Sequence, residues 1–151
     1  MIVRMMVSSD TPALDRLAEA TFLHHQKLLP EEFDSSAPPP DSADWMSSNV
    51  ICLVAESEGV INGYLKAKAV DAGKNRLFRK KLILMIDDLG VSPDARREGT
   101  GTILLEAAEM YAKEHGFAEV RLSVWTDNSG AIRFYAANGY QPLRTTLRKS
   151  L

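Results

Sequence analysis

The chain has a single cysteine, Cys52, so no intrachain disulfide can form, which suits a reducing compartment such as the cytoplasm. No apolar run is long enough to span a bilayer, so no membrane partner is expected. The opening run from Met1 to Val7 is too short for a secretory leader and is interrupted by Arg4. Neither sign of charge dominates. Eighteen basic against 20 acidic residues leave a net charge of −2, which argues against nucleic acid as the main partner. His24, His25 and His115 lack the spacing of metal ligands, so no metal is expected. No Gly-Lys-Ser/Thr closes a phosphate loop, and a Gly-x-Gly-x-x-Gly run is absent, so neither a Walker motif nor a dinucleotide fingerprint is present. There is no internal repeat, and Ser35 to Pro40 is the only low-complexity patch.

What is present fits one domain spanning residues 1–151 with one sizeable core. Met1 to Val7 reads as a strand. Asp10-Thr11-Pro12 reads as a helix start, with Asp10 as the capping side chain. Leu14, Leu17, Ala18, Thr21, His25, Leu28 and Leu29 follow at helical spacing until Pro30. Asp41 then caps a short second helix. Val50 to Glu56 and Val60 to Val70 predict a hairpin around Ser57-Glu58-Gly59. Lys81 to Val91 is a further strand, Thr102 to His115 a helix, and Glu119 to Trp125 a strand. Ser129 to Asn138 is a helix closed by Gly139, and Tyr140 to Leu151 supplies one or two last strands. The order is β-α-α-β-β-β-α-β-α-β-(β). It is an α/β chain with a mixed, α+β-like sheet, in which an antiparallel meander leads into one β-α-β crossover. Ligands bind at the carboxyl ends of parallel neighbours of this kind.

Two motifs carry chemistry. The first, Arg96-Arg97-Glu98-Gly99-Thr100-Gly101-Thr102, lies between a strand and a helix. Glycines there let backbone approach an anion, and the first amides of the helix point at it. The second is Asn128-Ser-Gly-Ala131-Ile-Arg-Phe134-Tyr135 followed by Gly139-Tyr140. Together, at this separation, they resemble the GNAT acetyltransferase superfamily, whose phosphate signature is Arg/Gln-x-x-Gly-x-Gly/Ala and whose later signature is Asn-x-x-Ala-x-x-x-Tyr with Gly-aromatic. The resemblance is firm from about Leu82 onward, the cofactor half. It is loose over residues 1–81, the acceptor half.

The resemblance implies an N-acetyltransferase that uses acetyl-CoA as co-substrate and transfers the acetyl group directly to a primary amine. The backbone from Arg97 through Glu98, Gly99, Thr100 and Gly101 to Thr102 would hold the pyrophosphate, with Arg96 and Arg97 adding charge. Glu98 must then point outward or pair with an arginine. Leu89, Gly90 and Val91 would pair with the pantetheine arm, with an N–H near Leu89 as oxyanion donor. Gly90 fits a bulge at that point. Asn128 and Phe134 would line the cofactor channel, and Tyr135 is the candidate general acid.

Asp87 and Asp88 are the candidate bases, similar to the Glu-Asp pair of the polyamine acetyltransferase branch. Successive strand residues face opposite ways, so only one can enter a given pocket. Asp87 is favoured as base through water, and Asp88 as a substrate or structural contact. Met85 stands where the histone-acetylating branch has its glutamate, which argues against that mechanism. His25, in a His-x-x-x-x-Pro-x-x-Phe pattern running to Phe33, is a candidate substrate contact. Glu31, Glu32 and Asp34 in the same loop could attract a cationic amine. Three readings stay open. The acceptor is a small cationic metabolite or antibiotic-like amine; or it is a peptide amine, α-amino or lysine; or the chain is a CoA-binding sensor without catalysis. A homodimer is compatible with all three.

Overall fold

The computed structural model describes residues 1–151. Five strands form one sheet in the order β1-β2-β3-β4-β5: β1 (Ile2–Met5), β2 (Ile51–Ser57), β3 (Val60–Asp71), β4 (Leu82–Val91) and β5 (Glu119–Leu122). The first four pair antiparallel, and β4 and β5 pair in parallel. Helix α1 (Thr11–Leu28) follows β1, α2 (Thr100–Glu114) makes the crossover from β4 to β5, and α3 (Ser129–Ala137) follows β5. No helix is long and apolar enough to cross a membrane.

Alternation along the strands sorts the core into two layers. Leu53, Ala55, Leu65, Ala67, Leu84 and Ile86 point to one face and bury Leu104, Leu105, Ala108 and Ala112 of α2. Cys52, Val54 and Tyr64 point to the other and bury Leu14 and Ala18 of α1 with Trp45. Burial pushes the Cys52 thiol up to about 12, so it is a small apolar side chain here and no nucleophile. The tight β2–β3 turn places Glu58 at φ 52° and Gly59 at φ 78°, the pair of left-handed residues that a two-residue hairpin requires.

Several local expectations change. Asp10 does not cap α1. Its carboxylate accepts from the Val7 amide at 2.8 Å and from both terminal nitrogens of Arg4, at 2.8 and 3.0 Å, and Arg4 also binds Glu56. A nearby guanidinium outbids the helix amides for that carboxylate. The segment Ser42–Met46 is a 3₁₀ turn, with Asp41 accepting from the Ala43 amide. Strand β5 stops at Leu122, short of Trp125. Residues 141–151 form neither helix nor strand and make no backbone–backbone hydrogen bond, so the expected last strand is not formed.

The most consequential difference is a bulge in β4. Lys66 pairs with Asp88 and Ala67 with Ile86, which leaves Asp87 as the extra residue. A bulge breaks the period-2 alternation. The expectation that Asp87 and Asp88 face opposite ways therefore fails. Asp88 shares a face with Lys66, and the Asp87 carboxylate reaches Lys68 Nζ at 3.3 Å, on that same face two residues along.

Candidate active site

The pairing of β4 with β5 ends at Ile86 opposite Leu122. Strand β4 continues through residues 87–91 with β3 on one side only. Its other edge, at Leu89, Gly90 and Val91, lies open where the two strands part. An extended ligand carrying amides can pair with such an edge.

The chain then turns through Pro93–Ala95 into α2. Arg97 at φ 71° and Gly99 at φ 80° are both left-handed, and Gly99 is the residue before the first turn. No side chain caps that turn and no acid lies in it. The earliest helical bond there is from the Ile103 amide to the Gly99 carbonyl, at 3.0 Å, so the amides of Thr100, Gly101 and Thr102 have no helical acceptor. Buried Thr100 anchors the turn by donating to the Ala95 carbonyl at 3.3 Å. Arg96 and Arg97 are exposed with no carboxylate partner, and Glu98 is exposed and unpaired, so it points outward. Bare amides, two free guanidiniums and a helix N-terminus fit the diphosphate of a coenzyme A. Gly101 is needed for a different contact from the one expected. A Cβ there would sit 2.9 Å from Cζ of Phe134, whose ring crosses the first turn.

Tyr64 is the residue that sequence reasoning missed. It is fully buried, and its hydroxyl donates to Asp88 Oδ2 at 2.6 Å. Gly90 lies opposite Tyr64 in register, and a Cβ on it would come within 2.4 Å of Tyr64 Cε1 and 2.6 Å of Thr21 Oγ1. Gly90 thus serves close packing over Tyr64, and the bulge lies upstream at Asp87. The only trace in the sequence is a strand tyrosine and a strand glycine. Their pairing depends on a register that the sequence does not state.

Burial raises the pKa of Asp88, opposed by the Tyr64 hydrogen bond and by the charges of His25 and Lys66. Burial, and then the charge of Asp88, push the Tyr135 hydroxyl up to about 12. Tyr135 makes no hydrogen bond within the protein and packs against Phe134 and Tyr140. Its proton is therefore held at neutral pH and free for a ligand. Asn128 caps α3 by accepting from the Ala131 amide at 3.1 Å, which explains the Asn-x-x-Ala spacing as local structure. His25 stacks on Phe33 with centroids 5.6 Å apart, and Phe33 meets Phe22 and Trp125 edge-on. These rings join the end of α1, its loop and the end of β5 into one wall. Asp87, paired with Lys68 and exposed, stands outside this group.

The comparisons agree with this geometry. Residues 15–140 match the model of the acetyltransferase (GNAT) family. An uncharacterized N-acetyltransferase of Methanocaldococcus jannaschii is 40% identical over 89 residues, 59% of this chain and 38% of the relative. N-acetyltransferase family 8 member 7 of Mus musculus is 36% identical over 98 residues, 64% of this chain and 41% of the relative. The chain thus spans about two fifths of the length of these curated relatives. Among solved structures, a mutant of the BH1408 protein of Bacillus halodurans superposes with TM-score 0.92 at 25% identity, covering 100% of this chain and 99% of that one. An aminoglycoside acetyltransferase from an uncultured soil metagenomic sample gives TM-score 0.74 at 23% identity, over 99% of this chain and 95% of that one, and shares the fold. The chain belongs to the GNAT acetyltransferase family.

Proposed function

We propose that this chain is an N-acetyltransferase that moves an acetyl group from acetyl-CoA to a small cationic amine, with residues 82–151 holding the coenzyme and residues 1–81 the acceptor. The observation that carries the reading is the Tyr64–Asp88 hydrogen bond of 2.6 Å beside the parted end of β4. It fixes one carboxylate on the stretch of β4 that leads to the uncapped α2 turn, and the charge of that carboxylate reaches Tyr135.

When bound, acetyl-CoA supplies an acyl group already activated as a thioester. The amides of Thr100, Gly101 and Thr102 bind its diphosphate, with Arg96 and Arg97 adding charge. The open edge at Leu89–Val91 orients the arm that follows. Phe134 and Asn128 border the channel through the first turns of α2 and α3.

Asp88 takes the role of base that the strand's regular alternation would have given to Asp87. Tyr64 occupies Oδ2, so Oδ1 is the oxygen left to attract an ammonium and to take its proton, directly or through water. Because burial makes the charge on Asp88 costly, a cationic acceptor gains most by neutralising it. His25 and the aromatic wall of Phe22, Phe33 and Trp125 would cover the body of the acceptor, and Glu31 and Asp34, exposed in the loop after α1, would draw cations toward it. Tyr135 Oη holds the proton that the departing thiolate requires.

The test is thiol release from acetyl-CoA across a panel of small amines and amine-bearing peptides, followed by pH profiles of Asp87→Asn and Asp88→Asn on the best acceptor. Asp88→Asn should lower kcat/KM by about a hundredfold or more near neutral pH. The deficit should shrink at high pH, where the amine is already neutral. Asp87→Asn should do much less. A larger loss in Asp87→Asn would return the base to that residue, and turnover confined to peptides would replace the small-amine assignment.

A further inference from the structure

On the face of the sheet that α1 covers, β3 and β4 carry four charges close together: Lys66 and Lys68 on one strand, Asp87 and Asp88 on the other. Lys68 is accounted for by its 3.3 Å ion pair with Asp87. Lys66 and Asp88 are direct partners across the ladder, where opposite charges normally join. They do not. Asp88 accepts from the Tyr64 hydroxyl, at 2.6 Å. Lys66 Nζ stands over Trp45, 5.0 Å from the ring centroid, and has no carboxylate partner. Trp45 is itself buried and packs on Tyr64 with centroids 5.2 Å apart, so the ring under the ammonium is held in place. The charge of Lys66 still eases the ionisation of Asp88, so the two groups are near without touching. One wall thus presents a fixed cation and a fixed anion side by side, each with polar valence left over.

We propose that the acceptor is an amino acid bound as a zwitterion, with its ammonium on Asp88 Oδ1 and its carboxylate on Lys66 Nζ. The inference rests on the acetyl-transfer reading above and narrows its acceptor class. Each half of the zwitterion meets the charge that the fold leaves unanswered, and the half-buried site makes both contacts stronger than they would be in water. The reaction converts one ammonium and one thioester into an N-acetyl amide, a thiol and one released proton. The carboxylate is unchanged by it and serves only to hold the amine in register. Other amines fit less well. A polyamine would set its second ammonium against Lys66, and the α-amine of a peptide has an amide where the carboxylate should be.

The test is thiol release from acetyl-CoA with a set of amino acids, each paired with its amide and with the amine left by decarboxylation. The unmodified protein, Lys66→Met and Lys66→Arg are compared. The amide's amine is the less basic of each acid–amide pair, so a preference for the acid cannot come from amine reactivity. In the unmodified protein kcat/KM should favour the acid over its amide by about tenfold to a hundredfold, the worth of a hydrogen bond to a charged group. Lys66→Met keeps an unbranched apolar side chain beside Trp45 and removes the charge. It also makes Asp88 harder to ionise, but that slows acid and amide alike and cancels in their ratio. The ratio should fall to about one in Lys66→Met and be largely restored in Lys66→Arg. A purely structural lysine would lower both rates together and leave the ratio where it was. Turnover of amines with no preference for the acid in the unmodified protein, or a preference that Lys66→Met leaves intact, overturns the zwitterion assignment while acetyl transfer stands. No thiol release with any acceptor overturns both readings. The ratio in the unmodified protein decides the matter even if a variant fails to fold.

Discussion

At the scale of single residues, the candidate site turns on one hydrogen bond between a buried tyrosine and a carboxylate that burial makes expensive to ionise. Tyr64 lowers the pKa of Asp88, while desolvation raises it by more. The substitution Tyr64→Phe keeps the ring that Gly90 accommodates and removes only the donor. Asp88 must then ionise at a higher pH. The acidic limb of the kcat/KM profile should therefore move upward, with a loss confined to the acid side of the limb and recovered in base. An unmoved limb with a uniformly lower rate would make Tyr64 a packing residue. None of this was legible in the chain. The pair Asp87-Asp88 announced itself by type, but the bulge that turns both toward one face leaves no mark in composition, so simple alternation set them on opposite faces. The place of Tyr135 on α3 was legible because its spacing from Asn128 belongs to a helix, where geometry follows from sequence separation alone.

At the scale of elements, helices and hairpins followed from local rules, and the departures share one cause. The 3.6-residue stripe of α1, the Glu58-Gly59 turn and the glycine-rich start of α2 are decided by neighbours in sequence. Asp10 and the end of β5 are decided by partners elsewhere: Arg4 and the parting from β4. The α2 turn offers a test that separates its two glycines. Gly99→Ala puts a Cβ into open space, but on a left-handed backbone, and should cost about 1 kcal/mol of stability. Calorimetric affinity for CoA should be largely kept. Gly101→Glu instead drives a charged side chain against Phe134, 2.9 Å away at Cβ, and brings a negative charge to the amides. Affinity for CoA should fall by more than about tenfold in protein that still melts cooperatively. Equal affinities in the two variants would mean that the coenzyme does not use this turn.

At the scale of the whole molecule, two aspartates pull stability in opposite directions as pH changes. Asp10, on the α1 side of the sheet, ionises more readily in the folded chain than its ordinary value of 3.8, chiefly because Arg4 hydrogen-bonds to it. It contributes stability that is fully present above about pH 4 and is lost as pH falls through its lowered folded value. Asp88 ionises less readily than 3.8. Its ionised form is disfavoured by folding, so the fold loses stability as pH rises through the raised folded value, and below about pH 4 the penalty is absent. Each substitution to asparagine, read against the unmodified chain at the same pH, isolates one of these contributions because all other groups cancel. Asp10→Asn should melt lower than the unmodified chain at pH 7, with the gap closing in acid. Asp88→Asn should melt higher at pH 7, with the gain vanishing toward pH 4, since its amide oxygen can still accept from Tyr64 while the desolvated charge is gone. Melting curves from pH 4 to pH 8 decide the matter. A Tm at pH 7 that Asp88→Asn leaves unchanged or lowers would mean that Tyr64, Lys66 and His25 already compensate the buried charge. Asp88 would then be a settled part of the fold, with no stability given up to hold a base in place. A gain in Tm together with the loss of turnover would show the opposite: the sheet tolerates an unfavourable carboxylate at the one point where an incoming cation can neutralise it.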